Sequence, residues 1–461
     1  MLSLPDCHRT IVRQSVQCRT RRSAAAAFPC LLDCSPIFAG GGASIVTSIE
    51  RFRDLDKRPI RLLGAMGNIR VRTNPRPVKE RRNRLMSSTC PTPPASAAPA
   101  AAPSAAESFH PPGPAKAQDQ DWTALRAHLA ASGLALDLDE YPRQFAGGLA
   151  NLNYLIKIDG KPWVLRRPPP GDLPPGANDM RREYSILRNL GNAFPLAPKA
   201  IHFSDDKNVI GAPFLIMEYR PGLVIGGSLP AARPTTAEER LRLGLQLVEL
   251  LADLHAVDAA AVGLSALGRP EGMLVRMVEG WTKRAQLACS STARGTPAGI
   301  ESVARWLRAQ QVAERKPSLL HSDYKLDNVI LDPVSLAPRA VIDWDMGTRG
   351  DPLVDLATLL SYWTEPGDPE PMHELGQMPT AEPGFPSRDE VLRAYALRTG
   401  ADLSGFRFYR VLAMFKLTVV FMQLHARYLR GEVTLEKFRT FGKLSAGLLD
   451  CTRAMCAGEI Q

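Results

Sequence analysis

One segment of the chain places imidazole, carboxylate and amide groups at a spacing that suits phosphoryl transfer. His321, Asp323 and Asn328 form an HxDxxxxN pattern, and Asp343 follows after two short apolar runs. A hydroxyl that attacks a phosphate needs a carboxylate to accept or orient its proton, which Asp323 can supply. Mg²⁺ needs hard oxygen ligands, and the Asn328 amide and the Asp343 carboxylate offer two. This arrangement is typical of the catalytic centre of kinases.

Other residues in and after this segment are expected to support the site. His321 should orient the loop through hydrogen bonds, and Asp345 lies two positions after Asp343. Asp351 should cap the next helix, and Asp355 should hold the catalytic loop through its backbone N–H groups. Any one of these acids would be ordinary at a turn, so it is their shared spacing that favours a site.

A kinase also needs a cation for the nucleotide phosphates, held by an acid on the following helix. Arg166 lies near the end of a predicted strand, and Glu183 follows 17 residues later in a predicted helix. Arg166 stands where a Lys is usual, but it keeps the charge and can bind phosphate oxygens with a planar fork. Arg167 is an alternative, because the sequence does not decide which of these two neighbouring residues faces the site. A surface Arg with a solvated Glu is the other alternative.

Two further segments are interpreted as nucleotide contacts. Gly147 and Gly148 would form the loop that covers the phosphates with backbone N–H groups, although adjacent glycines also mark ordinary tight turns. Met217, Glu218 and Tyr219 would form the hinge against which adenine packs through backbone hydrogen bonds.

The elements that must position these residues begin with a small β-rich part that starts near Trp122. Residues 143–167 are predicted to form two strands joined by Asp159-Gly160, a strong hairpin signal. A helix is predicted over 181–190, and two more strands are predicted over 201–219 around an Asp206-Lys207-Asn208 turn.

The second half is predicted to be mostly helical. Thr236 and Glu239 form a capping box. The helix that follows should bury one face, made of Leu241, Leu245, Val248, Leu251 and Leu254. Further helices are predicted after Asp351 and at 271–288, 299–313, 387–399 and 406–429, the last two completing the chain. A β-rich lobe followed by a helical lobe predicts an α+β, two-lobed, protein-kinase-like fold.

Charge and cysteine content separate a tail from the body. The 461 residues carry a net charge of +10, and residues 1–120 alone hold 18 Lys plus Arg against 8 acids, so the remainder is neutral. A nucleic-acid-binding body needs a basic face and is therefore disfavoured. Five of the eight cysteines lie in the tail, no CxxC pair occurs, and no apolar run reaches membrane-spanning length. We therefore expect no zinc site, no nucleic acid and no membrane partner.

Residues 1–117 are predicted to be a disordered basic and Pro/Ala-rich tail, before an N-lobe over 118–220 and a C-lobe over 221–461. Residues 1–32 are rich in Arg and Ser with one acid, like a mitochondrial transit peptide. Alternatively, the true start is Met66 or Met86. We expect a cytoplasmic protein, or a mitochondrial one if the transit peptide is real.

Residues 141–363 resemble the aminoglycoside phosphotransferase-like kinase family. Within it they are most similar to the kinase domain that some proteins carry fused to an acyl-CoA dehydrogenase. The similarity lies in RQFAGGLANLNYLI, VLRRPPPGDLPPGANDMRREYSIL, VIGAPFLIMEYRPG, HSDYKLDNVIL and VIDWDMGTRGDPLVDLA.

This resemblance implies roles for the site residues. Asp323 would be the catalytic base, and Asn328 and Asp343 would hold Mg²⁺. Arg166 and Glu183 would position ATP. The branch reads GxSN in the first loop, where this chain has Ala150 and so lacks one hydroxyl that could contact phosphate. With no dehydrogenase portion after residue 461, a free-standing kinase is expected.

The expected substrate is a small molecule with a hydroxyl group. Gly350 follows Asp343 by only seven positions, which leaves no room for the long segment on which protein kinases dock peptides. The Pro-rich insert 364–386 has five acids and no Lys or Arg, which suits a cationic aminoglycoside but also a solvated loop. A hydroxyacyl-CoA, which the branch resemblance favours, would prefer basic contacts from Arg407, Arg410 or Lys416.

Two other functions compete with an ATP-dependent small-molecule phosphotransferase. A nucleotide-binding pseudokinase scaffold would not need the intact Asp323, Asn328 and Asp343. A nucleic-acid binder would owe its affinity to the basic tail, which lacks the aromatic residues of a single-strand platform. The sequence leaves the oligomeric state and the phosphate acceptor open.

Overall fold

The computed structural model describes residues 119–146, 151–171, 176, 178–290, 297–310, 312–433 and 436–460. The predicted tail and the predicted phosphate loop at Gly147 and Gly148 lie outside the described residues. The first described element is helix α1 (Trp122–Ala131), which begins where the sequence predicts folding to start. Asp121 caps it by accepting a hydrogen bond from Ala124 N at 2.8 Å. The boundaries assigned to the two lobes stay predictions.

A six-stranded antiparallel sheet follows. Its strands are β1 (Leu136–Asp137), β2 (Arg143–Gln144), β3 (Leu152–Ile158), β4 (Lys161–Arg167), β5 (Ala200–Ser204) and β6 (Phe214–Glu218). They are ordered β1-β3-β4-β6-β5, and β2 also pairs with β3. The β3–β4 hairpin closes at Asp159 and Gly160, whose φ values of 50° and 72° fit the two-residue turn that the sequence predicts.

Two helices interrupt the sheet, and one of them replaces a predicted turn. Helix α2 (Met180–Leu190) connects β4 to β5 as predicted. The predicted turn at Asp206-Lys207-Asn208 is wrong, because a four-residue helix α3 (Lys207–Ile210) lies there. Asp206 accepts from Asn208 N at 2.9 Å and so caps a helical turn. Ile210 is buried in the same apolar cluster as Trp122, so packing against α1 favours the helix.

Helix α4 (Ala237–His255) opens the helical half, and its predicted capping box is confirmed. Glu239 N donates to Thr236 Oγ1 at 3.1 Å, and Thr236 N donates to Glu239 Oε2 at 3.0 Å. Two orphan N–H groups at the start of the helix are thereby satisfied.

The buried face predicted for α4 is wrong at its beginning. Leu241 is 41% exposed, whereas Leu243 and Leu247 are buried. Both rows of leucines have helical spacing, so the sequence alone does not choose between them. The choice depends on close packing at Gly244, where an added Cβ would lie 3.1 Å from the Trp363 ring.

The remaining helices are α5 (Met273–Ser290), α6 (Ala298–Ala309), α7 (Leu353–Tyr362), α8 (Glu370–Leu375), α9 (Arg388–Thr399), α10 (Phe406–Leu429) and α11 (Lys437–Ala457). Of these, α5, α6, α9 and α10 begin within two residues of their predicted starts. The prediction that α10 completes the chain is wrong, because α11 follows. Within the described ranges, no helix is long and apolar enough to cross a membrane.

Two small antiparallel sheets of two strands each hold the loops of interest. Strand β7 (Ser318–Leu320) leads into the loop 321–328, and β8 (Val329–Leu331) follows it. Strand β9 (Pro338–Val341) leads into the loop 342–347, and β10 (Thr348–Gly350) follows it. Strand β7 pairs with β10, and β8 pairs with β9, so the two loops begin and end side by side.

The insert 364–386 packs against the protein over part of its length, so it is not simply the solvated loop that the sequence allowed. It contains α8 and buries Thr364, Met372, Leu375, Met378 and Thr380. A small antiparallel sheet followed by a larger helical part is the α+β, two-lobed, kinase-like fold that the sequence predicts.

Candidate active site

The loop 321–328, here called the catalytic loop, is fixed to α7 by Asp355. His321 N donates to Asp355 Oδ2 at 2.6 Å, and Ser322 N donates to Oδ1 at 2.8 Å. Asp355 is fully buried. Burial acts to raise its pKa, but His255, 3.5 Å away, and the His321 backbone N–H lower the pKa of Asp355 below its ordinary value. These are the backbone contacts that the sequence predicts for Asp355.

Asp351 fixes the start of α7. Its Oδ1 accepts from Leu353 N at 3.0 Å, within the first turn of the helix. Its Oδ2 accepts from Arg315 N at 3.0 Å and from Tyr409 OH at 2.6 Å. Asp351 therefore caps the helix, as the sequence predicts, and also ties it to neighbouring segments.

His321 lies inside the catalytic loop and orients it. Its Nε2 lies 2.8 Å from Ile342 O, and its Nδ1 accepts from Asp323 N at 3.3 Å. A carbonyl oxygen only accepts, so this hydrogen-bond pattern assigns the ring proton to Nε2. The ring is buried against Trp344, with 4.8 Å between ring centroids. His321 thus joins the catalytic loop to the loop 342–347.

The carboxylate of Asp323, the predicted catalytic base, has contacts at both oxygens. Tyr362 OH donates to Oδ1 at 2.8 Å. Asn328 Nδ2 lies 3.4 Å from Oδ2, and Lys325 Nζ lies 4.0 Å from the same oxygen. The side chain remains 27% exposed, which leaves it accessible to a bound molecule.

Sequence reasoning missed Tyr362 and Lys325. Lys325 lies inside the HxDxxxxN motif, and its Nζ also donates to Asp327 Oδ2 at 2.7 Å. Tyr362 lies 39 positions after Asp323, so no local pattern connects the two. The available signal is its position seven residues after Asp355, which places both on one face of a helix.

Asn328 and Asp343, the predicted magnesium ligands, lie at adjacent ends of the β8–β9 hairpin. Ile342 N donates to Asn328 O at 2.9 Å. Asn328 Nδ2 donates to Asp323 O at 2.8 Å, an arrangement that leaves the amide oxygen for a ligand. Burial acts to raise the pKa of Asp343, but the charges of Arg166 and other nearby cations lower it below its ordinary value.

Arg166 links the sheet to α2 and to the loop 342–347. Its Nε donates to Glu183 Oε2 at 2.8 Å, and its Nη2 contacts Asp343 Oδ1. Arg166 is 5% exposed and Glu183 is fully buried. Burial acts to lower the pKa of Arg166, but the charges of Asp343 and Glu183 raise it above its ordinary value. One guanidinium therefore neutralises acids on two sides.

Arg167, the alternative partner, faces the other side of β4. Its Nε donates to Pro168 O at 3.2 Å, and its Nη1 contacts Gln120 Oε1 and Ile210 O. Successive side chains on a strand point to opposite faces, so only one of the two arginines can meet Glu183. That residue is Arg166, and the interpretation as a surface Arg with a solvated Glu is wrong.

Asp345 is bound from two sides. Asn151 Nδ2 donates to Asp345 Oδ2 at 3.1 Å, and Asn178 Nδ2 donates to Asn151 Oδ1 at 2.8 Å. Burial and the charge of Asp343 raise the pKa of Asp345. Arg182 Nη1 donates to Asp345 O at 2.9 Å. Asn151, directly before β3, thereby connects the start of that strand to the loop 342–347.

The predicted hinge residues lie where the sheet gives way to the helical half. Met217 pairs with Val164 across the β4–β6 ladder. Glu218 pairs with Arg220 at 2.8 Å, and the Tyr219 ring lies 6.2 Å from the Phe145 ring. Their contact with adenine stays a prediction.

Three of the five acids in the insert 364–386 have basic partners within the protein. Arg388 Nη2 lies 3.0 Å from Glu365 Oε2 and 2.6 Å from Asp368 Oδ1. Lys443 Nζ lies 2.6 Å from Glu374 Oε1. These ion pairs leave fewer acids of the insert to meet a cationic substrate.

The basic residues considered for an acyl-CoA also serve the fold. Lys416 Nζ donates to Ser322 O at 2.6 Å and so holds the catalytic loop from α10, while burial lowers the pKa of Lys416. Arg407 Nε donates to Met455 O at 2.8 Å, near the end of α11. Burial and the charge of Arg388 lower the pKa of Arg410 to about 9.

The donor set fits Mg²⁺ bound together with phosphate. Asn328 and Asp343 provide an amide and a carboxylate oxygen, the hard donors that Mg²⁺ prefers. Among the residues that the structure describes, no three His, Cys, Asp or Glu side chains are arranged to hold a metal. Mg²⁺ is commonly held by one or two carboxylates plus substrate phosphates, so two protein ligands suffice.

The chain matches the model of the phosphotransferase enzyme family over residues 142–409, more than half of its length. It belongs to this family, and the resemblance drawn from the sequence is confirmed. The fold and the site therefore place the chain among phosphotransferase enzymes.

Curated relatives and a solved structure agree with this assignment. Acyl-CoA dehydrogenase family member 11 of Rattus norvegicus is 32% identical over 298 residues, covering 64% of this chain and 37% of the relative. Acyl-CoA dehydrogenase family member 10 of Mus musculus is 30% identical over 310 residues, covering 67% of this chain and 28% of the relative. The chain thus spans well under half the length of these relatives.

A crystal structure from Ralstonia eutropha, assigned as an aminoglycoside phosphotransferase, is 25% identical. It superposes with a TM-score of 0.60 and covers 74% of this chain and 99% of its own. The two-lobed kinase-like fold is therefore shared along almost the whole of that protein.

Proposed function

We propose that the chain transfers a phosphoryl group from ATP to the hydroxyl group of a small molecule, with Asp323 as the base. The observation that carries the proposal is the connection among three residues. Asn328 Nδ2 donates to Asp323 O at 2.8 Å, and Asn328 O accepts from Ile342 N, directly before Asp343, at 2.9 Å. A base and two hard oxygen donors therefore lie at one edge of the helical half.

Each residue at this edge has a role that its contacts support. Phosphoryl transfer depends mainly on positioning and charge neutralisation. Bound Mg²⁺–ATP supplies the transferable group and the neutralising cation. Asn328 and Asp343 would hold the metal, and Arg166, anchored by Glu183, places a positive charge beside them. Asp323 accepts the proton of the attacking hydroxyl.

We further propose a hydroxyacyl-CoA or a related metabolite as the acceptor. The curated relatives are named as acyl-CoA dehydrogenases, and a hydroxyacyl thioester carries the hydroxyl that the reaction needs. An aminoglycoside has less support, because Glu365 and Asp368 are already paired with Arg388.

The test is Mg²⁺-dependent ADP formation by the full chain, with hydroxyacyl-CoAs, aminoglycosides and simple alcohols as acceptors. We expect turnover with the first class and a loss of roughly 10²- to 10⁴-fold in Asp323→Asn. Asp205→Asn is the matched control, since Asp205 is a 65% exposed acid paired with Arg181 and should keep wild-type activity.

Three outcomes would contradict the proposal in different ways. Full activity in Asp323→Asn would remove the assigned base. Turnover only with aminoglycosides would overturn the acceptor class. Tight nucleotide binding without turnover on any acceptor would favour the pseudokinase scaffold.

A further inference from the structure

Helix α7 contacts the catalytic loop at two points on one face. Asp355, in its first turn, accepts from the backbone N–H groups of His321 and Ser322. Tyr362, its last residue, donates to the side chain of Asp323. Seven residues make about two helical turns, or a rise of about 10 Å, so both side chains project the same way.

This helix is a rigid support. All ten of its residues are buried, and Asp351 fixes its first turn through Leu353 N. A helix packed on every side cannot shift without disturbing the surrounding side chains. Helix α7 therefore holds both the backbone of the catalytic loop and the carboxylate of Asp323.

Among the residues that the structure describes, Tyr362 makes the shortest side-chain contact with the Asp323 carboxylate. It measures 2.8 Å, against 3.4 Å to Asn328 Nδ2 and 4.0 Å to Lys325 Nζ. The terminal torsion of an Asp side chain is broad, so a carboxylate turns easily unless a donor holds it. Without the phenol, the nearby charge of Lys325 would draw the carboxylate toward itself.

The phenol donates in this contact, because a carboxylate oxygen accepts. Burial, and then the charge of Asp323, raise the pKa of Tyr362 well above its ordinary value. Tyr362 is buried and its ring centroid lies 5.7 Å from Lys325 Nζ, and a Phe ring can make the same contacts. Tyr362→Phe therefore tests the hydrogen bond without removing the ring.

We infer that Tyr362 is a positioning residue that holds the Asp323 carboxylate in the orientation from which it accepts the acceptor's proton. The inference rests on the proposed function. It adds a residue outside the HxDxxxxN motif, whose role reaches the reaction only through Asp323.

Two measurements on the full chain test it. In the first, a crystal structure of Tyr362→Phe should have the Asp323 carboxylate turned toward Lys325, with α7 unmoved. An unchanged carboxylate would overturn the inference even if no acceptor had been identified.

The second measurement separates kcat from KM. Tyr362→Phe should lower kcat by roughly 10- to 100-fold, as misplacement of a reacting group does, with the KM for ATP and the Tm unchanged. Tyr154→Phe is the matched control: this buried phenol accepts from Gln120 Nε2 at 2.8 Å in the sheet and should keep wild-type kinetics.

The outcomes distinguish this inference from the proposed function. Wild-type kcat in Tyr362→Phe, beside an inactive Asp323→Asn, would refute the positioning role and leave the function intact. A fall in kcat matched by a fall in Tm would make the role structural. Absence of turnover in the wild-type chain would count against the function, and the crystal structure would still decide whether Tyr362 holds Asp323.

Discussion

Arg166 Nε lies 2.8 Å from Glu183 Oε2, and both side chains are buried. A Lys in place of Arg166 would provide one compact charge, whereas the guanidinium reaches Glu183 with one nitrogen and Asp343 with another. The side chain of Arg166 therefore joins the sheet to both α2 and the loop 342–347.

The first prediction concerns this pair. Arg166→Met should lower the free energy of unfolding by about 3 to 5 kcal/mol, because it leaves a buried Glu183 without its partner. Arg166→Lys should fold but raise the KM for ATP, since a point charge cannot hold Glu183 and Asp343 together. Urea unfolding and steady-state kinetics measure the two effects.

Arg167→Lys serves as the control for this prediction. Arg167 is the sequence neighbour of Arg166 but contacts Gln120 and Ile210 on the other face of β4. We expect its KM for ATP to equal that of the wild type. Equal KM values in Arg166→Lys and wild type would refute the role of the fork.

The motif spacing was enough to predict which loops approach each other. The HxDxxxxN pattern and the later Asp343 mark two loops. If these loops form one site, the strands that flank them must pair, and in the structure β7 pairs with β10 and β8 with β9. The 17-residue separation likewise predicts an Arg–Glu contact. The choice between Arg166 and Arg167 needs the phase of β4, which is set by its pairing with β3 and β6.

Features that depend on tertiary packing escaped prediction. The Tyr362–Asp323 contact joins residues 39 positions apart through a buried helix. Helix α11 contains Gly442 and Gly447, which weaken a helical pattern, yet an added Cβ at Gly447 would lie 2.5 Å from Pro371 Cγ. The absence of a side chain at Gly447 permits close packing against the insert. A local sequence pattern does not reveal this contact.

The second prediction concerns the metal ligands. Asp343→Asn and Asn328→Ala should each raise the Mg²⁺ concentration needed for half-maximal nucleotide binding by about 10-fold or more. Fluorescence titration of the full chain with a nucleotide analogue at graded Mg²⁺ measures this directly, independently of the acceptor.

Asp206→Asn is the matched control for the metal prediction. Asp206 caps α3 by accepting from Asn208 N, and Asn caps a helix about as well as Asp does. Its Mg²⁺ dependence should match the wild type. If Asp343→Asn gave the same curve as this control, Asp343 would not be a ligand.

The third prediction concerns Asp355. Asp355→Asn replaces one carboxylate oxygen by an N–H group facing the buried backbone N–H groups of His321 and Ser322. One buried donor then lacks an acceptor, which should cost about 1 to 3 kcal/mol of stability and lower kcat. Nucleotide affinity should persist, because Arg166 and Glu183 are held separately. A variant as stable as the wild type would show that the loop does not depend on Asp355.

The last prediction concerns the backbone of Ser322. Its φ of 69° lies in the left-handed region, directly before Asp323. Residues with a Cβ are disfavoured there by about 1 to 2 kcal/mol, whereas Gly adopts the region freely. Ser322→Gly should therefore leave the Tm unchanged or raise it, and kcat should persist because Ser322 contributes its backbone N–H and carbonyl.

Ser322→Val should have the opposite effect, because a β-branched side chain resists this conformation further. We expect a loss of about 1 to 2 kcal/mol in the free energy of unfolding, together with a lower kcat, since the strain falls on the loop that carries Asp323. Ser318→Val in β7 is the control, because a strand accommodates Val well. Equal losses at positions 318 and 322 would mean that the size of the side chain, and not the left-handed backbone, limits this loop.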